Sequence, residues 1–469
     1  MRADPAAAPL TAAAASRGLA SGRLSSAALV EDCLARITVH DGRLNSFVLV
    51  LAEQARRAAR AADRARKAGR ARGPLHGVPF GLKDIYETAG IRTTAHSRLL
   101  LDHVPKQDST VARKLKEAGA ILVGKLATHE FATGGPAYDL PFPPARNPWN
   151  TERFTGGSSS GSGAAVAAGL VPLAMGSDTS GSIRGPAGYC GIAGFKPSYG
   201  VVSRSGVIPL ANSLDHCGPM AWTVEDCALM LDAIAGLDPA DLASADRAPR
   251  SVRRGLKGGI AGMRIGVVRH FFERDIEADP QTAAAIEAAL KVLRKLGAKL
   301  VPLTLPPHRD WDACCRIILY AEAYAIHERD LAERPEKYAA ITRARLFSGQ
   351  VVTGADYIQA LRWRRELCLR YAEAMDGLDA VVTGCTLNPA PPIDDTAKPP
   401  FFSPKGRLVM APFSITGAPA LSVCSGFSSD GMPLSLQIAG APFADAAVLR
   451  IGYAYEQATP WRERRPALG

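Results

Sequence analysis

Two blocks of small residues carry the hydroxyl groups with which this chain could do chemistry: GGSSSGSGAAVAAG at residues 156–169 and GSDTSGSIRGPAGYCG at residues 176–191. Glycine and serine let a ligand approach the backbone closely, and successive N–H groups near a helix start can converge on one point, which is the geometry an oxyanion needs. A serine hydroxyl is a weak nucleophile until a base takes its proton. Where no histidine serves, that base can be a lysine whose ammonium has lost its water. Lys83, at the end of the strand-like GVPFGLKD (residues 77–84), is a candidate.

Other chemistries fit these residues less well. By composition alone the first block is a flexible linker. A phosphate cradle would need the lysine of a Walker loop, and no Lys or Arg occurs between Phe154 and Ile183. Residues 157–161 match Gly-x-Ser-x-Gly, yet no clear strand runs into them as a nucleophile elbow requires. The nine histidines show neither H-E-x-x-H nor another paired-ligand spacing, so no metal and no cofactor are expected. His76, His96, His129 and His216 read as satisfied polar residues near loops.

The elements that must position these groups alternate between helix and strand. Residues 10–72 read as helices. After them come a strand ending at Lys83, a helical DSTVARKLKEAG (108–119) and a strand-like AILVGK (120–125). Further on, MRIGVV and AVVTG look like buried strands, with TAAAIEAALKVLRKLG an amphipathic helix between strands. ALSVCSGF and LSLQIAG suggest two more strands, closed by the helix AAVLRIGYAYEQAT. The expectation is an α/β protein: a single large domain with a mixed β-sheet covered by helices. Residues 1–72 are expected to form an N-terminal helical cap, part of the same unit as a catalytic domain over 73–469.

Composition is that of an ordinary globular protein of 469 residues, 47% hydrophobic and 22% charged. The net charge of +11 raises the question of an anionic partner. Much of the excess sits in EQARRAARAADRARKAGRAR (53–72), which holds seven Arg and one Lys on a helical pattern without an aromatic residue for base stacking. It reads as a solvated helix face, and nucleic acid is not an expected partner. Nine scattered cysteines without a C-x-x-C pair, and an N-terminus unlike a signal peptide, predict a cytoplasmic protein. No apolar run is long enough for a membrane span.

At its motifs the chain resembles the amidase signature family, the Ser-Ser-Lys amidohydrolases. GVPFGLKD, GKLATHEFA, NPWN, TGGSSSGSGAAVAAG, GSDTSGSIRGPA, CGIAGFKPSYG and SLDHCGPMAWTVEDCALML stand in family order. TGAPALSVCSGF and GMPLSLQIAG fit as well, so the likeness runs over about residues 30–459. Lys83 precedes Ser158 by 75 residues and Ser158 precedes Ser182 by 24, as the family's spacing requires. The resemblance implies that Ser182 is the nucleophile, Ser158 the bridging serine after a cis Gly157-Ser158 peptide, and Lys83 the base. It implies an oxyanion hole made by the backbone N–H groups of Thr179, Ser180, Gly181 and Ser182. Many members have Gly at the position of Ser180, a change that leaves the backbone donor in place. Ser159, Asp178 and Arg184 are implied supports of the triad. The activity implied is amide hydrolysis through a seryl acyl-enzyme, without a cofactor.

Substrate preference in the family implies a pocket built by residues 131–147 and 398–413. Gly134, Gly135, Tyr138, Phe142, Phe401, Phe402 and Met410 are the candidates, and their Phe-rich loops suggest an apolar or aryl amide, with carbamates or esters chemically close. The alternative is the glutaminase subunit of a tRNA-dependent amidotransferase. That pocket needs charged groups, including an acid shortly before TGAPALS, where this chain reads RLVMAPFSI. The expectation is therefore a stand-alone amidase acting on a small-molecule amide, at most as a homodimer. A non-catalytic scaffold is disfavoured by the intact Lys83, Ser158 and Ser182.

Overall fold

Strands form wherever a short apolar run is stopped by glycine, proline or charge. Among the described residues eleven result: β1 (Phe47–Val50), β2 (Pro79–Lys83), β3 (Ile121–Leu126), β4 (Leu173–Asp178), β5 (Ala193–Lys196), β6 (His216–Ala221), β7 (Arg264–Val267), β8 (Lys299–Pro302), β9 (Ala380–Gly384), β10 (Ala420–Phe427) and β11 (Pro433–Ala439). They make one mixed sheet in the order β1-β3-β2-β4-β6-β5-β10-β11-β9-β7-β8. The computed structural model describes residues 8–247, 251–397 and 408–468. The expected α/β class with one large mixed sheet is what the chain adopts.

Within β4 the side chains alternate between two cores. Leu173 and Met175 pack with Phe80 and Leu82 of β2, whereas Ala174 packs with Ile121 and Val123 of β3 on the opposite face. A strand buried on both faces carries a continuous apolar run, which is why β2 and β4 lack polar alternation.

Helices cover both faces. The first, α1 (Ala12–Ala20), is capped by Thr11. Next come α2 (Ser26–Leu44) and α3 (Ala52–Lys67), the latter burying Ala55, Ala59 and Ala62 at helical spacing. Between α2 and α3 the residues Phe47–Val50 form β1, which pairs antiparallel with β3. This departs from the helix expected throughout residues 10–72; four residues are too few to show a periodicity, and a partner strand decides their state. The layers continue with α4 (Thr110–Glu117), α5 (Ser160–Ala167), α6 (Arg184–Cys190), α7 (Val224–Ile234) and α8 (Pro280–Lys295). The long α9 (His308–Glu333) is followed by α10 (Ala340–Phe347) and α11 (Gly354–Ala374), which Thr353 and Asp356 start with a capping box. Short α12 (Ile393–Ala397) and α13 (Ala411–Ile415) precede the closing α14 (Asp445–Gln457).

Strands β3, β2 and β4 run parallel, so their carboxyl ends face the same way, the usual location of a site in such sheets. Leu82 lies beside Met175 in register, which brings the end of β2 level with Gly176 and Ser177. All nine cysteines are free thiols. Among the described residues no helix is long and apolar enough to cross a membrane.

Candidate active site

Lys83 ends β2 with its side chain wholly buried. Its Nζ lies 2.8 Å from Ser158 Oγ, 3.0 Å from Ser159 Oγ and 2.9 Å from Ser177 Oγ. Burial pushes the Lys83 pKa down from 10.5 to about 7, while the carboxylates of Asp215 and Asp178 pull the other way. The shift favours the neutral amine that a base requires.

The Gly/Ser block at 156–169 is no linker. Its first half is a buried loop and its second half becomes α5, because Gly161 lies against backbone: a Cβ there would stand 2.4 Å from Ser46 O and 2.5 Å from Ala127 N. The peptide Gly157-Ser158 is cis. Ser158 is held by its carbonyl, which accepts from His129 N at 3.0 Å, and Ser159 N donates to Ser182 O at 3.3 Å, tying the two serine loops together. A Cβ on Gly157 would fall 1.9 Å from His129 Cε1, so only glycine leaves room for that ring.

Ser182 sits in the turn between β4 and α6. Asp178 organises the turn: its carboxylate accepts from the amides of Gly181 at 2.7 Å, Ile183 at 3.2 Å and Arg184 at 3.3 Å. Burial by itself would raise the Asp178 pKa, but the Arg184 guanidinium overrides it and holds the carboxyl well below the usual range. Arg184 also donates to Met410 O, Gln437 Oε1 and Ser414 Oγ, which locks the turn to β11 and α13. The Gly181 amide is thus turned to Asp178, which argues against its place among the four expected oxyanion donors. Among the described residues the amides of Thr179, Ser180 and Ser182 have no backbone or side-chain acceptor.

Ser158, Ser182 and the flanking glycines open into a cavity of about 590 Å³. Gly134, Gly135 and Met410 line it, and Met410 closes over Gly181. Two other candidates, Tyr138 and Phe142, are not in its wall. Tyr138 is half-exposed, donates to Asp394 at 2.7 Å and is not part of the cavity wall. Phe142 packs against His96, with ring centroids 5.1 Å apart. Phe401 and Phe402 lie outside the described residues.

The apolar wall expected from those loops is corrected by a charged stretch of the cavity lining. It comes from α9, α10 and α12 and brings Asp312, Arg316, Arg345 and Asp395, with Arg309 and Asp275 alongside. Arg316 and Asp312 are one turn apart on α9, with Nε 2.7 Å from Oδ2. Arg345 donates to Gly134 O, joining this wall to the glycine loop. Sequence reading misses these residues because a charged side chain on a helix or beside one looks like any solvated face. It also misses Ser177, the third hydroxyl on Lys83, although Ser177 stands beside Asp178 in the second motif. A second cavity of about 520 Å³ shares Ala132 and Leu210 with the first and reaches Ser177. Among the described residues no cluster of His, Cys, Asp and Glu could hold a metal.

The amidase family pattern matches residues 28–449. The chain belongs to the amidase family. It is a serine amidase, an enzyme acting on amide C–N bonds. This amidase is 40% identical to the Glutamyl-tRNA(Gln) amidotransferase A subunit of Chloroflexus aggregans, over 98% of either chain. Among solved structures it is similar to a chain of a vestigial protein complex bearing on the origins of an s-triazine catabolic enzyme, with TM-score 0.88 and 35% identity over 96% of the amidase and 98% of that chain. It is also similar to the Glutamyl-tRNA(Gln) amidotransferase A subunit of Thermotoga maritima, with TM-score 0.78 and 32% identity over 93% of the amidase and 92% of that chain.

These relatives correct two expectations. The motifs and loops suggest a stand-alone enzyme for a small apolar or aryl amide, with a small molecule and no nucleic acid as its partner. The end-to-end likeness to amidotransferase A subunits overturns both. The cavity also carries acids, Asp275, Asp312 and Asp395, that the sequence expectation did not include.

Proposed function

We propose that the amidase is the A subunit of a tRNA-dependent amidotransferase, releasing nitrogen from the side-chain amide of glutamine for partner subunits that act on a charged transfer RNA in the cytoplasm. The observation that carries this reading is the composition of the cavity, whose lining combines the serines Ser158 and Ser182 with side chains of both signs of charge. A free amino acid brings an ammonium and a carboxylate, and each is costly to bury without an opposite charge. Asp312 and Asp395 suit the ammonium; Arg316 and Arg345 suit the carboxylate. Likeness to A subunits over nearly the whole chain supports the same reading.

In this proposal neutral Lys83 accepts the proton of Ser158, Ser158 accepts that of Ser182, and Ser182 Oγ attacks the amide carbon. The C–O bond forms as the carbonyl electrons move to oxygen, where the amides of Thr179, Ser180 and Ser182 meet the charge. Collapse breaks the C–N bond while the proton returns along the chain to nitrogen, so that ammonia leaves in place of an amide anion. Water then cleaves the acyl-enzyme by the same proton route, giving glutamate. Asp178 and Arg184 position the turn and Ser159 positions Lys83.

The test is labelling with an active-serine phosphonate, followed by intact-mass measurement, beside ammonia release from glutamine by the chain on its own and with its partner subunits. The expected result is one adduct, absent in Ser182→Ala, and glutamine-dependent ammonia that rises with the partners. Turnover of uncharged aryl amides with none of glutamine, on its own or in complex, would overturn the reading.

A further inference from the structure

The arginine-rich helix α3 has no part in the chemistry above, and its charges are arranged. At 3.6 residues per turn Arg57, Arg60, Arg64 and Lys67 fall within about 80° of the helix circumference, at heights of roughly 0, 4.5, 10.5 and 15 Å along the axis. All four are exposed. The opposite face is buried through Ala55, Ala59 and Ala62.

The neighbouring acids are committed elsewhere. Glu53 pairs with Arg56 at 2.7 Å, and Glu31 pairs with Arg56 at 2.8 Å, with Arg60 adding a weaker pull on Glu31. Asp63 accepts from the amides of Ser26 at 2.7 Å and Ala27 at 3.1 Å, capping α2. Among the described residues none of the four stripe cations forms an ion pair within 4.0 Å. Exposed Arg70 extends the positive edge beyond the helix.

We propose that this stripe docks the phosphate backbone of RNA, an assignment that rests on the tRNA-dependent reading of the chain. A row of cationic side chains spaced by about one turn matches a run of phosphates, which arginine meets with paired N–H donors. No aromatic side chain is interleaved, so the contact positions the RNA without reading its bases. An anionic membrane fits less well, because the exposed face offers nothing larger than alanine to insert between lipids.

The experiment measures binding of an unmodified transfer RNA transcript to the full-length chain by fluorescence anisotropy, as a function of salt. Four phosphate contacts predict a log–log slope of about 3, so raising salt from about 50 to about 200 mM weakens binding roughly 50- to 150-fold. The variant Arg57→Glu/Arg60→Glu/Arg64→Glu/Lys67→Glu is expected to lose that affinity and slope while keeping wild-type ammonia release from glutamine. The matching glutamine-substituted variant, which is less exposed to folding defects, should fall in between. Equal binding by wild type and both variants overturns the docking face. Tighter binding to vesicles of equal parts phosphatidylcholine and phosphatidylserine than to RNA overturns it in favour of a membrane. Glutamine turnover without any RNA binding removes the docking face alone, whereas RNA binding that is lost in the glutamate variant and weakened in the glutamine variant upholds it whatever the amide donor proves to be.

Discussion

Arg184 grips Asp178 with two nitrogens, Nε to Oδ2 and Nη2 to Oδ1, both at 2.9 Å, and neither side chain is exposed. Removing one partner strands a buried charge and frees the amides that shape the Ser182 turn. Asp178→Ala or Arg184→Ala is expected to cost roughly 3–5 kcal/mol of stability, readable from denaturant unfolding, and to abolish turnover. A loss below about 1 kcal/mol would show that water replaces the missing partner.

Lys83 sets the expected pH dependence. Only the neutral amine accepts the proton of Ser158, so the acylation rate should rise about tenfold per pH unit below the Lys83 pKa of about 7 and level off above it. Stability runs in the same direction. The folded pKa lies below the ordinary 10.5, so between about 7 and 10.5 the unfolded chain holds a proton that the folded one lacks, and stability from this group increases with pH across that window. Below it both states are protonated and the full cost of burying the ammonium is felt. Single-turnover rates and unfolding midpoints measured across that range check both statements.

Ser177 contributes a hydroxyl 2.9 Å from Lys83 Nζ. An oxygen at that distance stabilises the ammonium, so Ser177→Ala should lower the Lys83 pKa further and move the acid limb of the rate profile to lower pH. Ser177→Thr, which keeps the hydroxyl, should restore the limb. A variant that loses activity without moving the limb would assign Ser177 to packing alone.

Gly157→Ala should be far more damaging than a surface Gly→Ala change. The added methyl would meet the His129 ring, itself stacked on Phe154 with centroids 5.9 Å apart, so the Ser158 loop must shift. A displacement of about 1 Å at a reacting group costs on the order of a hundredfold in rate. Partial recovery in Gly157→Ala/His129→Ala would identify the ring as the obstacle.

Arg316 tests the charged wall. If it meets the carboxylate of glutamine in ground and transition states alike, Arg316→Leu should raise KM about tenfold with kcat nearly unchanged. The same variant should leave an uncharged amide unaffected. Equal losses on both substrates would place Arg316 in the scaffold of α9.

Much of this protein is written locally. Apolar runs ending in glycine or charge mark β2, β3, β7, β9, β10 and β11, because a buried strand is recognisable from a handful of neighbours. Lys83, Ser158 and Ser182 stand out by spacing and by the small residues around the serines. The short strand β1 and the removal of Tyr138 and Phe142 from the cavity were not legible, since each depends on a partner distant in the chain. Ser177 meets Lys83 across 94 residues only because β2 and β4 run parallel in one register. The charged wall exists only because α9, α10 and α12 bring Asp312, Arg316, Arg345 and Asp395 to the same cavity as Ser158 and Ser182. Local sequence thus determined which groups could react and which segments would be strand or helix, through periodicity and side-chain size. Tertiary structure decided what those groups face, because strand order and long-range packing bring together side chains whose separation along the chain carries no signal.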